Sequence, residues 1–139
     1  MGGSGNKDAA RRFMEVVLGA GNWDGADELL DPDVVMVHPS SPEPVRGFDA
    51  VKGMLMGFRA AFPDLTITAE DVIGDGDKAA VRWTFRGTHT ADLFGLPPTN
   101  KHAEMPGMSW FTFADGRIVE DRVCEDTMGL MRQLGVVPG

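Results

Sequence analysis

Hydrophobic residues follow a helical period in the first half of the chain and a strand period in the second half, with the change near Pro63. In the first half, apolar residues recur three or four positions apart, which predicts helices. These helices are predicted over residues 7–20, 25–30 and 49–62, with one strand at 34–38. In the second half, apolar and polar residues alternate, which predicts strands at 65–73, 79–86, 103–114 and 117–125 before a closing helix. Helices followed by strands indicate an α+β fold.

The alternation also predicts which side chains of the strand at 79–86 face the interior. Successive side chains of a strand point to opposite faces of a sheet. The apolar residues of this strand stand at every second position, at Ala79, Val81, Trp83 and Phe85. We therefore expect them to pack in the core and Arg82 to lie on the outer surface of the sheet or in a dimer contact.

The length and composition of the chain allow one domain. The 139 residues are 42% hydrophobic and 24% charged, a balance that excludes disorder and a coiled coil. A domain of this size buries about 70% of the surface that its unfolded chain exposes, so it has a true core. We predict a flexible leader over residues 1–6 and a single domain over residues 7–139.

The charge of the chain excludes several partners. Against 13 Lys and Arg stand 21 Asp and Glu, which gives a formal net charge of −8. Binding to a phosphate backbone or to an anionic membrane surface needs basic patches instead. No apolar run approaches the roughly 20 residues that span a bilayer. We expect neither a nucleic acid nor a membrane as a partner.

Cysteine and histidine usage argues against metal sites and disulfides. The single cysteine, Cys124, cannot form a disulfide within the chain or a cysteine zinc site, which fits a reducing compartment and predicts a cytoplasmic protein. The three histidines lack the spacing of metal ligands. No glycine-rich phosphate loop follows a strand. We expect no metal and no cofactor.

Short motifs along most of the chain carry a resemblance to one family. They are VVMVH at 34–38 with RG at 46–47, AFPDL at 61–65, VRWT at 81–84, GTHT at 87–90, GLPPT at 95–99, FADGRIVED at 113–121 and QLG at 133–135. Over about residues 7–137 they make the chain similar to the SnoaL-like polyketide cyclases, which have the nuclear transport factor 2-like fold.

The resemblance implies an architecture and an activity. The architecture is a cone-shaped, curved antiparallel sheet wrapped around the N-terminal helices, with a ligand cavity at its mouth. The activity is cofactor-free ring closure of a hydrophobic, polyketide-derived intermediate in the biosynthesis of specialised metabolites such as antibiotics. The resemblance also implies a homodimer formed through the exposed face of the sheet.

Two positions depart from the family pattern. The aldol-type cyclases of the family use an aspartate on the last strand and a histidine on the neighbouring strand, and these positions are Val123 and Ser109 here. Neither residue can transfer the proton that aldol closure moves from carbon to oxygen. The chain also lacks tyrosine, so an oxyanion would have to be bound by the indole N–H of Trp83 or Trp110, a histidine, a Ser or Thr hydroxyl, or Arg82.

An acid two residues from Val123 is the first candidate for catalysis. If Val123 faces the cavity, alternation places Asp121, together with Val119 and Glu125, on the same face. Burial there would raise the pKa of a carboxyl group and let it act near neutral pH. The alternative is that Asp121 is solvated, or paired with Arg117 or Arg122.

Two further residues are catalytic candidates. His38 ends the strand at 34–38, at the predicted rim of the cavity, where it either contacts the ligand or serves a structural role. Asp126 stands directly before the closing helix, where its side chain either caps the helix or takes part in catalysis.

We expect an apolar wall rich in Met, Phe and Trp to bind the substrate. The residues assigned to substrate binding are Met54, Phe58, Trp83, His89, Met108, Ser109, Trp110, Phe111 and Val123. Thioethers adapt to irregular apolar shapes, so such a wall could hold a flexible chain in a reactive conformation. The loop at 92–101 is a candidate lid, and the sequence leaves its closure open.

These observations favour a cyclase that works mainly by binding geometry, through a pericyclic, Michael-type or aldol-type closure. Replacing Asp121 with Ala is then expected to lower turnover by less than about 100-fold. Two alternatives remain. One is a non-catalytic small-molecule binding protein with the same cavity, and the other is a hydrolase or isomerase of a small lipophile.

Overall fold

The computed structural model of the chain describes residues 2–138. Within this range there are three α-helices and six strands. The helices are α1 (Gly2–Arg12), α2 (Phe48–Ala61) and α3 (Thr127–Leu134). The strands are β1 (Leu30–Val37), β2 (Val45–Arg46), β3 (Thr66–Asp75), β4 (Lys78–Thr88), β5 (His102–Ala114) and β6 (Arg117–Glu125). The predicted α+β class is confirmed.

The strands form one curved, open sheet in the order β2-β1-β6-β5-β4-β3. Every neighbouring pair is antiparallel except β1 and β6, which run parallel with Met36 opposite Asp121. The prediction of an antiparallel sheet is therefore corrected to a mixed sheet. The reason lies in the connections, because β3 to β6 reverse at each step, whereas β1 and β6 are far apart in the chain and no hairpin constrains their direction.

The first helical segment differs from its prediction in extent and type. Helix α1 begins at Gly2 rather than residue 7, and continues as a π-helical segment, Phe13–Leu18. Phe13, Met14 and Val17 in this segment are buried. The predicted second helix is a single 3-10 turn, Ala26–Glu28. Met1 lies outside the described residues, and the flexible leader over residues 1–6 stays a prediction.

Strand β1 begins at Leu30, earlier than the predicted strand at 34–38, and so includes a proline. Pro32 and its two neighbouring aspartates lie within the strand, where the register with β6 is irregular between Leu30 and Val35. Proline cannot donate a ladder hydrogen bond, so it is tolerated at such an irregularity. The two-residue strand β2, beside β1, escaped the prediction because it is too short to show alternation.

The core lies between the inner face of the sheet and the helices. Ala79, Val81, Trp83 and Phe85 on β4 are all buried, as alternation predicts, while Arg82 is exposed. Aromatic contacts tie the layers together: the ring of Phe13 lies 5.8 Å from that of Phe111, and the rings of Phe58, Phe62 and Phe85 pack against one another. Full burial of each such side chain contributes about 1.5–3 kcal/mol to folding.

A bulge near the start of β6 decides which residues face the interior there. Thr112 lies opposite Glu120, but Phe113 lies opposite Ile118, so Val119 is the extra residue. Ile118 turns into the core in its place and is fully buried. The sequence prediction for Val119 therefore fails at the bulge, whereas beyond it regular alternation returns.

Candidate functional site

A cavity opens on the inner face of the sheet, beneath α2 and the π-helical segment. Its apolar wall includes Met14, Met36, Met54, Phe58, Trp83 and Val123, and its polar groups are His38, Ser40, Arg59, Ser109, Asp121 and Glu125. About 70 Å³ of it is open to the centres of water molecules, which is room for several waters. A larger ligand therefore requires wall side chains to move, and flexible methionine side chains make such movement easy.

Asp121 is the buried acid of this cavity. On β6 it lies opposite Phe111 of β5 and Met36 of β1, so apolar side chains flank it on both sides. It is 3% exposed, and its Oδ1 has no hydrogen-bond partner among the described residues. Burial, with a smaller contribution from the negative charge of Glu125, raises the pKa of Asp121 to about 8. At neutral pH this side chain is therefore mostly a neutral carboxylic acid, which can donate a hydrogen bond or a proton.

Glu125 and His38 form a second polar pair in the cavity. The Nε2 atom of His38 lies 3.3 Å from Oε1 of Glu125, and the two side chains are only 9% and 7% exposed. The backbone N–H of Ser40 donates to Nδ1 of His38 at 3.1 Å, and the Ser40 Oγ lies 2.7 Å from the same nitrogen. Because Nδ1 accepts the backbone N–H of Ser40, the proton of a neutral ring is on Nε2, the nitrogen that faces Glu125.

The local sequence explains the position of His38. The side chains of Val34, Met36 and His38 share one face of the chain by alternation, and the first two are fully buried. Pro39 lacks a backbone N–H and ends the strand. The chain then turns so that Ser40 meets the ring of His38. The structure thus places His38 in the lining of the cavity.

Ser109 and Trp83 form a third polar pair, on β5 and β4. The indole N–H of Trp83 donates to the Ser109 Oγ at 3.0 Å, and both residues are buried. The six-membered ring of Trp83 lies over Gly107, where a Cβ atom would stand only 2.4 Å from the ring. Ser109 lies directly opposite Val123. The two positions that depart from the family pattern are therefore neighbours in the cavity wall.

Several predicted site residues lie elsewhere. Trp110 and Met108 are 51% and 56% exposed on the outer face of the sheet. The correction follows from the period of two, since Ser109, which lies between them, points inward. Phe111 points inward too, but it packs against Phe13 in the core rather than lining the cavity.

Asp126 and His89 have structural contacts outside the cavity. The Asp126 side chain accepts a hydrogen bond from the backbone N–H of Gly129 at 2.9 Å and caps α3. His89 is fully buried, stacks on Phe62 and accepts the backbone N–H of Thr99 at Nδ1. Neither residue lines the cavity. His89 instead fixes one end of the loop at 92–101.

The loop at 92–101 contributes one side chain to the mouth of the cavity. Phe94 lines the cavity, and its ring occupies the space beside Gly57 of α2, 3.1 Å from where a Cβ atom would stand. Phe94 has a φ of 46°, which is unfavourable for a residue other than glycine. The absence of a side chain at Gly57 therefore gives Phe94 its place over the cavity.

Glu125 is the main residue that the sequence prediction did not assign to the site. Alternation from Val123 placed it on the correct face, but it stands at the end of β6, where a solvated position was equally plausible. Arg59 of α2 was also missed. Its guanidinium donates to the carbonyl oxygens of Leu18 and Gly19, at 3.2 and 3.0 Å, and so closes the end of the π-helical segment.

Two further properties of the described residues bear on the site. Among residues 2–138, no group of three or more His, Cys, Asp or Glu side chains is arranged to hold a metal ion. In that same part of the chain, no helix has the length and apolar character needed to cross a membrane.

Comparison with protein families gives one match over almost the whole chain. A family model described as SnoaL-like polyketide cyclase matches residues 8–134. No curated protein sequence matches the chain.

Solved structures support the same relationship. IdmH from Streptomyces antibioticus, assigned as a polyketide cyclase, is 30% identical with a TM-score of 0.81, covering 94% of this chain and 98% of its own. An assigned polyketide cyclase from Acidithiobacillus ferrooxidans is 27% identical with a TM-score of 0.84, covering 95% of both chains. A SnoaL-like protein from Jannaschia sp. CCS1 has a TM-score of 0.88 over 98% of this chain and 95% of its own, and at 23% identity it supports the fold alone.

Proposed function

Because the chain belongs to the SnoaL-like polyketide cyclase family, we propose that it is a cofactor-free cyclase that closes a ring in a hydrophobic, polyketide-derived intermediate of specialised metabolism. The single observation that carries the proposal is a buried, neutral carboxyl group, Asp121, facing an apolar cavity that also contains the His38–Glu125 pair. The apolar wall binds and folds the substrate, and the polar groups move protons.

The two carboxyl groups suit opposite halves of an aldol-type or Michael-type closure. A base removes a proton from the carbon next to a carbonyl group, this carbon attacks a second electrophilic carbon, and an acid protonates the oxygen that becomes negative. We assign the base to Glu125, which is held by His38, and the acid to Asp121. Glu125 gains one proton and Asp121 loses one, so transfer of a proton between them restores the starting state.

This assignment adds proton transfer to the binding geometry that the sequence favours. General acid–base catalysis typically contributes about 10²–10⁴-fold, and holding the two reacting carbons together contributes separately. A pericyclic closure would need only the shape of the cavity. The two mechanisms therefore differ in how strongly turnover depends on Asp121.

The proposal is tested with linear substrates and two readouts. A panel of linear poly-β-keto esters and polyenyl ketones is incubated with the protein, binding is followed by the fluorescence of Trp83, and products are identified by liquid chromatography and mass spectrometry. Trp110→Phe removes the exposed tryptophan, and Trp23, which packs against Phe48 and does not line the cavity, contributes a constant background. A cyclic product of unchanged mass, or of mass reduced by one water, supports the cyclase. Binding of the panel without any product contradicts it and favours a binding protein.

A second candidate function is favoured by the same geometry. An acid and a base that face one cavity can also move a double bond in a small unsaturated ketone, by taking a proton from one carbon and returning it to another. The panel therefore includes a β,γ-unsaturated ketone that is too short to cyclise. Formation of its conjugated isomer, without ring closure of the longer members, favours an isomerase.

We propose that the protein forms a homodimer through the outer face of the sheet. Trp110 and Met108, two residues apart on the outer face of β5 and about half exposed, support this idea, because exposed apolar side chains that include an aromatic ring are typical of interfaces. The neighbouring arginines Arg82 and Arg122 and the glutamates Glu104 and Glu120 offer both signs of charge to a second copy. Sedimentation of the wild type and Trp110→Ala tests it, and a monomeric wild type contradicts it.

A further inference from the structure

We propose that the Ser109 hydroxyl and the Asp121 carboxyl group together bind one substrate oxygen, the carbonyl oxygen that becomes negatively charged during the reaction, and that Trp83 is the residue that aims the Ser109 hydroxyl. The proposal rests on the proposed function only in requiring a substrate with a carbonyl group. It assigns a role to Ser109, at one of the two positions where the chain departs from its family pattern.

The hydrogen bond from Trp83 fixes what Ser109 can do. A serine hydroxyl has one hydrogen to donate and an oxygen that accepts. The oxygen accepts the indole N–H of Trp83, 3.0 Å away, and an indole can only donate. The hydroxyl hydrogen must therefore point to another group, and it has no acceptor among the described residues. Since Ser109 lines the cavity, a ligand oxygen is the acceptor that remains.

Asp121 supplies the second donor from the neighbouring strand. Ser109 lies opposite Val123, and Asp121 lies opposite Phe111, so the two polar residues are diagonal neighbours on the same face of β5 and β6. Diagonal neighbours in an antiparallel pair have backbones about 7–8 Å apart, which leaves room for one oxygen atom between the two side chains. The buried Oδ1 of Asp121 has no other partner among the described residues.

The other charged and titratable groups around Asp121 are engaged elsewhere. The carboxylate of Glu125 lies 3.3 Å from Nε2 of His38, and the other ring nitrogen of His38 accepts the backbone N–H of Ser40. The guanidinium of Arg59 donates to backbone carbonyls at the end of the π-helical segment. Only Nη1 of Arg59 donates in these bonds, and its other N–H groups belong to the helical wall of the cavity. On the sheet wall formed by β5 and β6, Ser109 and Asp121 are the polar groups whose hydrogens have no acceptor among the described residues.

The arrangement defines the class of ligand. In a ketone or a conjugated enone, the carbonyl oxygen gains negative charge only during the reaction. Both donors would stabilise that charge as it develops. A free carboxylate is disfavoured because the negative charge of Glu125 is close enough to raise the pKa of Asp121. We therefore infer that the substrate is uncharged at its reacting end.

Trp83 is a positioning residue in this scheme. The six-membered part of its ring lies against Gly107, where any side chain would overlap it, and the indole N–H donates to Ser109. Phenylalanine at this position keeps most of the ring volume and removes the N–H. The Ser109 hydroxyl would then be free to rotate.

The test uses a nitrophenol that is ionised at pH 7 as a stable mimic of the charged oxygen, and nitrobenzene as its neutral counterpart. Affinities are measured by the absorbance of the bound phenolate and by calorimetry for nitrobenzene. A hydrogen bond to a charged acceptor predicts a loss of phenolate affinity of about 10- to 100-fold in Ser109→Ala and in Trp83→Phe. Affinity for nitrobenzene should change by less than about threefold.

Matched controls come from the same chain. Ser41→Ala removes a serine hydroxyl that bonds to the Glu43 carbonyl outside the cavity, and Trp110→Phe makes the same aromatic exchange on the outer face. Both are expected to bind the phenolate like the wild type. Asp121→Asn keeps a donor and should retain phenolate binding within about fivefold, whereas Asp121→Leu should lose it.

Wild-type phenolate affinity in Ser109→Ala would overturn the proposal, and so would equal losses for phenolate and nitrobenzene in Trp83→Phe. Circular dichroism of each variant checks its fold, and if Trp83→Phe does not fold, Ser109→Ala decides alone. The expected phenolate pattern without any cyclised product would uphold this site and reject the cyclase. Cyclisation at an unchanged rate in Ser109→Ala would uphold the cyclase and reject the role of Ser109.

Discussion

The two faces of strands β5 and β6 are made from alternating residues of the same segments, yet they have opposite chemistry. On the inner face, Asp121 is buried between apolar neighbours, and its pKa is raised to about 8. One residue away on the outer face, Arg122 pairs with Glu120 at 3.2 Å in contact with solvent. A single step along a strand thus separates a neutral carboxylic acid from an ordinary surface ion pair, and the difference comes from burial rather than from residue type.

The largest expected effect comes from removing the acid on the inner face. Asp121→Ala should lower the turnover of any cyclised substrate by about 10²–10⁴-fold, the range of general acid–base catalysis, while Glu120→Ala on the outer face should stay within about twofold. Steady-state kinetics of both variants measures this. A loss below about 100-fold in Asp121→Ala would favour the geometry-dominated mechanism that the sequence suggested.

The next effect is a dependence of stability on pH that comes from Asp121 on the inner face. The folded pKa of Asp121 is about 8, above its ordinary value of 3.8, so the folded state holds a proton that the unfolded state releases. The contribution of this group is complete below pH 3.8 and is lost as pH rises toward 8, with a slope of up to about 1.4 kcal/mol per pH unit. Urea unfolding from pH 5 to 8 should show this loss in the wild type.

The control for the pH dependence is Asp121→Asn, which cannot titrate. Its free energy of unfolding should fall less steeply over the same pH range than that of the wild type. Parallel curves for the two proteins would mean that burial does not raise the pKa of Asp121.

A smaller effect is expected from filling the space under Trp83. In Gly107→Ala the new Cβ would stand 2.4 Å from the indole ring, which forces the ring to shift and costs about 1–3 kcal/mol of stability. Gly116→Ala, at a turn with φ of 80°, tests backbone strain without a clash. Thermal unfolding compares them, and Trp83 fluorescence should shift only in Gly107→Ala.

The smallest effect concerns the mouth of the cavity. Gly57→Ala places a methyl group 3.1 Å from the ring of Phe94, whereas Gly53→Ala, one turn earlier on α2, meets nothing within 4 Å. Both exchanges gain the same helix propensity. We expect Gly57→Ala alone to change the affinity for nitrobenzene, by about two- to fivefold. Equal affinities in the two variants would show that the position of Phe94 does not affect ligand entry.

The sequence predicted the fold well because its signals are local and regular. Alternation on β4 placed Trp83 inward and Arg82 outward, and β6 begins and ends where it was predicted. The parallel pairing of β1 with β6 could not be read in this way, because it joins segments about 90 residues apart. The bulge at Val119 was not predicted either, because a one-residue insertion does not change the pattern of hydrophobic residues in a recognisable way.

The site was predicted in part. Asp121 and His38 were named, and they lie in the cavity, but their catalytic roles stay predictions. Trp110 and Met108 were assigned to the wall by residue type, against the alternation that places Ser109 inward. The pairing of His38 with Glu125 depends on two strands that meet only in the folded sheet, so the sequence could suggest the face of Glu125 but not its partner.

The proposed mechanism depends most on the protonation state of Asp121, and a site-specific titration of this carboxyl group tests that state directly. The carboxyl carbon of Asp121 is assigned by its loss from the spectrum of Asp121→Asn, and its chemical shift is followed by nuclear magnetic resonance in aspartate-labelled protein from pH 4 to 10. We predict a midpoint near pH 8, with the neutral acid dominant at pH 7. A midpoint near the ordinary value of 3.8 would contradict the assignment of Asp121 as the proton donor.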